Sequence, residues 1–480
     1  MGRRAPTVEE TRTPGHQTVV GHHSGAHRKP AGRRPRPPLD VPDIVGPLAG
    51  VVRHCFPDLN AWFSAPRDPR WQPMCRYVQA HLFWQGVLTM LTRGGSRNGF
   101  DNVRNTGAVP HNVDVLCGQH WDEARLGPER TVTCGDNTAR HFRRLDPAEV
   151  AVVPQTMTRA LLEGRKLEAA RLFDNWYLVI FDGTVREHCR EGIDEASLHQ
   201  TGADGRTVRY RYVVEARVLG PEGTTFPLAT AFVDMHDPVR DKQDCELVAF
   251  QRLAEELHVA FPRLAICLLA DGLYAATPVF DICDRYHWKF IVTFREGRQP
   301  NAWEEAMDLL ALAPSHVWHA TRKGDDGPVE QTARWVDDLS VGAHRLQAIF
   351  LGEIAPHAAS LQVWLTNLRL DRERVPTIIN EGGRKRHTIE DWINVLKNNG
   401  YGLEHVFCGH ATASKNYYYV LLIADVLWQL LADGVLRRLL RHLIRKLTDL
   451  ALVGYLRASL LYVRLPLDPP PIGQIRFSTA

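Results

Sequence analysis

The sequence predicts an α/β protein: a helical N-terminal part, then a mixed five-stranded sheet with helices, interrupted by a β-rich insertion before the chain returns to helix. Three observations predict it. Residues 41–165 carry apolar side chains at helical spacing. Between 166 and 300, short apolar or alternating runs interleave with helical stretches. Residues 301–380 offer several strand-like pieces in succession. At 480 residues the chain is too long for one small core. The pattern divides it into 1–40, a basic arm; 41–165, a helical and DNA-binding candidate; 166–300, the first part of the core; 301–380, the insertion; 381–432, the second part of the core; and 433–480, a basic helix and tail. A hydrophobic fraction of 44% and a charged fraction of 24% are those of a soluble globular protein, and a net charge of +3 does not by itself point to nucleic acid.

The elements follow in order. Arg3, Arg4, Arg12, Arg28, Lys29, Arg33, Arg34 and Arg36 lie among Pro, Gly and His, so residues 1–40 cannot bury enough surface to order themselves. Both a solubilising tail and a phosphate-contacting arm fit that composition. It lacks the apolar stretch of a secretory signal, which places the protein in the cytoplasm. Arg76–Thr92 reads as an amphipathic helix, Arg93–Asn105 as a Gly/Asn/Arg-rich loop, and 136–167 as two further helices. Trp176–Asp182 is a buried strand ending in an Asp-Gly turn. Thr207–Leu219 and Thr225–Asp234 are strands, Lys242–Leu257 a helix, Arg263–Asp271 a strand again ending in Asp-Gly, Pro278–Tyr286 a helix and Trp288–Phe294 a fifth strand. His316–Thr321, Val329–Val336, Ala343–Leu351 and Gln362–Asn367 supply the insertion. Helices follow at Arg384–Asn399, Tyr417–Leu431 and, basic and amphipathic, Gly434–Leu447. The apolar run Tyr417–Leu431 is shorter than the ~20 residues a bilayer needs and reads as a core helix, with no membrane partner.

Asp182 and Asp271 each end an apolar strand before a glycine. Either alone makes an ordinary turn hydrogen bond. On neighbouring strands they bring two carboxylates together, and at ~4 Å with an effective dielectric near 20 their repulsion is ~4 kcal/mol. A divalent cation removes that penalty, and an all-oxygen donor set suits Mg²⁺ or Mn²⁺ over zinc. Two such ions activate a nucleophile and stabilise a leaving oxygen in phosphoryl transfer. A third acid comes from the helix after the insertion. Arg386, Glu390 and Lys397 fall within about 40° of one another on a helical wheel, beside an apolar stripe of Ile389, Trp392, Ile393 and Leu396. A solvated Arg–Glu pair explains the same spacing.

Arg386-x3-Glu390-x6-Lys397 resembles the signature of bacterial insertion-sequence DDE transposases, in which Tyr-x2-Arg-x3-Glu-x6-Lys surrounds the catalytic Glu. Asp271-Gly-Leu-Tyr274 and Phe181-Asp182-Gly-Thr184 are similar to the segments around that family's two aspartates, and the resemblance covers roughly residues 130–430. It implies a ribonuclease H-like core. It implies a DNA transposase that cuts at element ends and joins strands, with Asp182, Asp271 and Glu390 as catalytic and metal-binding acids on two Mg²⁺ or Mn²⁺ ions. Arg386 and Lys397 would bind phosphate. Its partners would be double-stranded DNA, in terminal inverted repeats and target, and a second copy of the chain; a nucleoid-associated bacterial enzyme follows, with no small-molecule substrate. A nuclease of the same fold without strand transfer, and a non-catalytic DNA-binding derivative, are the alternatives. Gly383 stands where the family has Tyr, and a capping box from Thr388 and Asp391 would start the helix late.

In such relatives an insertion aromatic stacks on a displaced base; Trp318, Trp335 and Trp364 are the candidates here, and sheet core is their other reading. Arg437, Arg438, Arg441 and Arg445 suit DNA, a dimer interface or plain solvent. His188, His236 and His410 have no ligand spacing. Nine cysteines without a CxxC pair point to reduced thiols, and His405, Cys408 and His410 lack a second pair for zinc.

Overall fold

The computed structural model describes residues 42–477 except 120, 122, 124–126, 190–196, 202–204, 206, 234–244, 325, 440–447 and 476. The basic arm 1–40, His236, Lys242 and the expected basic side chains Arg441 and Arg445 lie outside the described residues.

Ten strands make one mixed sheet: β1 (Tyr177–Cys189), β2 (Leu198–Thr201), β3 (Thr207–Leu219), β4 (Thr225–Val233), β5 (Ile266–Ala270), β6 (Lys289–Thr293), β7 (Val317–Gly324), β8 (Gly327–Val341), β9 (His344–Ala355) and β10 (Ala358–Thr366). Their order is β2-β3-β1-β5-β6-β10-β9-β8-β7, with β4 pairing β3 off that path. The pairs β1–β5 and β5–β6 are parallel. All five residues of β5 are buried, as expected of a strand covered on both faces.

The five strands expected between 166 and 300 are present, but they do not form a sheet of their own. β10 pairs antiparallel with β6, Trp364 opposite Thr293, so the insertion extends the same sheet. Without β10, one edge of β6 would present unpaired backbone groups.

A second correction concerns β1. The strand does not turn at Asp182-Gly183 but continues to Cys189, because β3 is equally long and pairs with it from Val179↔Val218 to Cys189↔Arg209. Asp182 lies mid-strand opposite Glu215, ahead of an irregularity between Val185 and Glu187.

The two faces carry different helices. Phe250 of the helix Glu246–Ala260 packs edge-on against Phe181, 5.2 Å between centroids, on the face to which odd-numbered residues of β1 turn. The helix Ala411–Leu431 meets β3 through Asp425 and Arg217. N-terminal helices close around it: Phe142 meets Tyr417 at 5.1 Å, and Asn416 Nδ2 donates to the carbonyls of Phe142 and Leu145.

That helix runs on as Ala411–Leu439, 29 residues with a mean hydropathy of 1.7, and so is long and apolar enough to cross a membrane. The length criterion applied to Tyr417–Leu431 therefore fails. Burial decides instead, since 94% of its apolar window is covered by protein. The expected loop 93–105 contains a short helix, Arg97–Asp101, and a helix at Asp449–Tyr462 follows the basic stretch. Arg437 pairs with Asp433 and Asp449, both at 2.6 Å, and so is a structural contact here.

Candidate active site

Asp182 and Asp271 are placed by register. Ile180 pairs with Leu269 across the parallel β1–β5 ladder. Side chains alternate along strands, so the positions two residues further on, Asp182 and Asp271, share one face. Asp271 leaves β5 at once. Its Oδ1 accepts from the Leu273 amide at 2.8 Å and caps the 3₁₀ turn Gly272–Tyr274. Asp182 is held less firmly: its Oδ1 accepts only the adjacent Gly183 amide, at 3.0 Å, and its Oδ2 faces Arg386 at 3.9 Å.

Burial pushes the Asp182 carboxyl up to about 6; the Arg386 charge opposes this, while the charges of Glu246 and Asp271 add to it. A buried carboxylate beside two others is costly to ionise unless a cation joins it.

The acidic helix spans Thr388–Asn398. It is preceded by a 3₁₀ turn, Gly383–His387, and has no side-chain cap, so Thr388 and Asp391 form no capping box. Ile389, Trp392 and Leu396 are buried, as the apolar stripe requires, and Glu390 stands at its margin with its side chain 55% exposed. Arg386, in the turn, makes a short contact to Glu390 Oε1 with Nη2 while Nη1 faces Asp182. Asp182 and Glu390 are thus one guanidinium apart. Lys397 is turned elsewhere, paired with Glu404 at 2.8 Å.

The convergence expected of the three acids is therefore incomplete. Among the described residues, the His, Cys, Asp and Glu side chains that gather three ligand atoms within 4.8 Å are His81, Asp114 and Cys117, not Asp182, Asp271 and Glu390. That buried trio was not foreseen; its neutral imidazole could ligate a metal, while its raised thiol does not suit nucleophilic attack. His81 Nε2 accepts from the Thr133 amide at 3.3 Å, so the proton sits on Nδ1, which faces Asp114 Oδ1 and Cys117 Sγ, each at 3.9 Å. Burial, with Arg70 nearby, pushes His81 down to about 3 and so keeps it neutral. Burial also raises the Cys117 thiol to about 12. His405 and His410 are exposed and Cys408 is buried; these three do not form such a group either. His188 is exposed on β1.

Beside Arg386 opens a cleft of about 720 Å³, lined by Arg295, Arg322, Arg384, His387, Trp303 and Trp364 among others. Of its two acids, Glu296 and Glu353, the latter would be raised by burial, but Arg384 at 2.6 Å, Gln331, and Arg322 at 3.1 Å hold it below the usual carboxylate range. Trp364 is buried, and its ring lies 2.6 Å from where a Cβ on Gly383 would stand. The indole therefore fills the space a tyrosine at 383 would need. Trp335 is buried and stacks on His316, centroids 5.2 Å apart, while Trp318 is half-buried on the edge strand β7.

Glu246 and Tyr212 were missed in the sequence, and Tyr274 was singled out there only as part of the segment after Asp271. Glu246, first in its helix, accepts from Tyr212 Oη at 2.8 Å and Tyr274 Oη at 2.9 Å. An acid in a helix's first turn reads as a dipole partner, so no sequence signal separated Glu246 from that role.

The chain matches no protein-family profile, and a search of curated proteins finds no relative.

Proposed function

We propose that the chain is a divalent-cation-dependent DNA transposase whose β1–β3–β4–β5–β6 strands form a ribonuclease H-like core. The observation that carries the reading is the Arg386 guanidinium lying between Asp182 and Glu390, with Asp271 on the same sheet face. Arg386 there joins Asp182, 204 positions earlier in the chain, to Glu390, four positions later, the spacing of the Arg-x3-Glu part of the resemblance.

The donor set fits a hard cation. Asp182, whose carboxyl is raised by burial and by two neighbouring acids, has one weak hydrogen bond and a distant guanidinium as partners, and every donor is a carboxylate oxygen. Asp182, Asp271 and Glu390 would hold Mg²⁺ or Mn²⁺, which would supply charge neutralisation at phosphorus and a lowered pKa for an attacking hydroxyl. The residues themselves do the remaining work. Asp271, fixed by the Leu273 amide, presents a preset oxygen. Arg386 keeps two acids in one neighbourhood and, with Arg295, Arg322 and Arg384 in the adjoining cleft, offers a basic track to a phosphate backbone. Double-stranded DNA, at element ends and target, is the proposed partner. Self-association on paired ends and residence with the bacterial nucleoid in the cytoplasm belong to the same proposal.

One observation favours a second reading. Arg386 holds a half-exposed Glu390, and a permanent clamp there would make the chain a DNA-binding derivative without chemistry. Purified protein with DNA carrying the inverted repeats that flank its gene separates the readings. Mg²⁺-dependent cutting and joining, lost in Asp271→Ala, is expected; cutting without joining means a nuclease, and binding without cutting means the derivative.

A further inference from the structure

We infer that Glu246 is a positioning residue for the two aspartates, braced by Tyr212 and Tyr274 from the opposite face of the sheet; this rests on the cation-dependent reading above. The helix that Glu246 begins packs against Phe181 and so lies on the face away from Asp182. From there its carboxylate holds two phenols, one on β3 and one in the turn after Asp271. Oε2 accepts from Tyr212 Oη, and that phenol lies over Gly183, where an added Cβ would stand 2.4 Å from the oxygen. Gly183, the neighbour of Asp182, is thus small because the phenol crosses it. Oε1 accepts from Tyr274 Oη, and Tyr274 closes the turn that Asp271 caps. Tyr274 is fully buried and packs edge-on against Phe250 of the same helix, 5.3 Å between centroids, so the brace has little freedom.

One carboxylate therefore ties β3, through the phenol that lies over Gly183 of β1, to the turn after β5. Asp182 and Asp271 must keep a fixed separation to share a cation, and no backbone hydrogen bond joins them, since the β1–β5 ladder ends at Ile180↔Leu269. Glu246 and its tyrosines brace the gap beyond the last rung. Its charge also adds to the negative field at Asp182. Outer-shell groups of this kind set the geometry and affinity of a metal site, and their loss typically costs 10–100-fold in affinity.

Two variants separate bracing from charge. Glu246→Gln keeps the size and both hydrogen bonds, because one phenol can reverse its role and accept from the amide, but removes the charge. Tyr212→Phe/Tyr274→Phe keeps the charge and removes the brace. Each full-length protein would be titrated with Mn²⁺, free ion being read by its room-temperature paramagnetic resonance signal, with the metal-free melting temperature measured alongside. The inference predicts Mn²⁺ binding weakened about tenfold or more in both variants, a melting temperature for Glu246→Gln no lower than the parent's, and a matching rise in the Mg²⁺ needed for half-maximal DNA cleavage. Variants that bind Mn²⁺ as the parent does overturn it, as does a loss of binding only in step with melting temperature. If the parent binds Mn²⁺ and cuts no DNA while both variants bind more weakly, the transposase reading fails and this inference stands. A parent that binds no Mn²⁺ overturns both.

Discussion

Two clusters of acids and arginines lie on the same sheet, and they are built in opposite ways. Between β3 and the helix Ala411–Leu431, Arg217 is fully buried. Its Nε donates to Thr225 Oγ1 at 3.0 Å and its Nη2 to Asp425 at 2.8 Å, and its guanidinium stacks 3.7 Å from the Trp392 ring. Asp425 Oδ2 also accepts from Trp392 Nε1 and Gln429 Nε2. Midway along β1, Asp182 has one neighbouring amide and a guanidinium at 3.9 Å. The first cluster is shut off from water and dense with hydrogen bonds, although Arg217 Nη1 and Glu215 Oε2 have no hydrogen-bond partner among the described residues and face each other at 3.7 Å. The second is under-satisfied and opens on a basic cleft. A network closed off from water is structural, whereas a carboxyl raised by burial beside an open cleft is placed where something else can bind. The two are also connected, because Trp392 shares the helix of Glu390, so the buried network fixes the register from which the exposed acid projects.

The largest effect expected on this contrast is from breaking the buried cluster. Asp425→Ala removes the acid nearest buried Arg217, leaving Glu215 at 3.7 Å, and should cost about 3–5 kcal/mol in a denaturant titration; a loss under 1 kcal/mol would place the network among surface pairs. Gly383→Ala should cost about 1–3 kcal/mol, since the new Cβ meets the Trp364 ring at 2.6 Å. Its melting temperature falls while Mn²⁺ affinity, referred to folded protein, stays within a few-fold.

A pH titration sharpens the comparison from the buried side. Burial raises Glu215 to about 7, with Arg217 and the Thr230 hydroxyl opposing. The folded state thus holds a proton that the unfolded chain, with its ordinary carboxyl, releases at lower pH. The stability Glu215 contributes is complete below about 4.5 and is lost as pH rises through 7. Relative to the parent, Glu215→Gln should therefore gain melting temperature between pH 5 and 8. A difference that does not vary with pH contradicts that assignment.

Much of the fold was legible because period and composition agreed with the final pairing. Thr207–Leu219 alternates with β-branched and aromatic residues and forms β3 over those same bounds. Asp182-Gly183 misled, since Asp-Gly is a turn signal locally, yet a thirteen-residue partner in β3 and a phenol lying over Gly183 hold it in a strand. The continuous ten-stranded sheet depends on β6 meeting β10, a pairing of residues about seventy positions apart that no local pattern encodes. At the candidate site, the Arg386–Glu390 contact is the i,i+4 pair their spacing allows, made from the turn before the helix, whereas the Lys397 pairing was not legible because its partner Glu404 lies beyond the helix. Gly383 became intelligible only once Trp364 was seen beside it.

The most direct test is the rate of Mg²⁺-dependent cleavage of DNA bearing the flanking repeats by Glu390→Gln beside Asp182→Asn and Asp271→Asn. Each substitution changes one carboxylate to its amide and should leave the fold intact. If the three acids act together, each lowers the rate by about 10³-fold or more, in the range lost when one member of a catalytic set is removed. Cleavage by Glu390→Gln at the parent's rate, with the two aspartate variants inactive, would contradict the three-acid site and leave Glu390 as no more than the partner of Arg386.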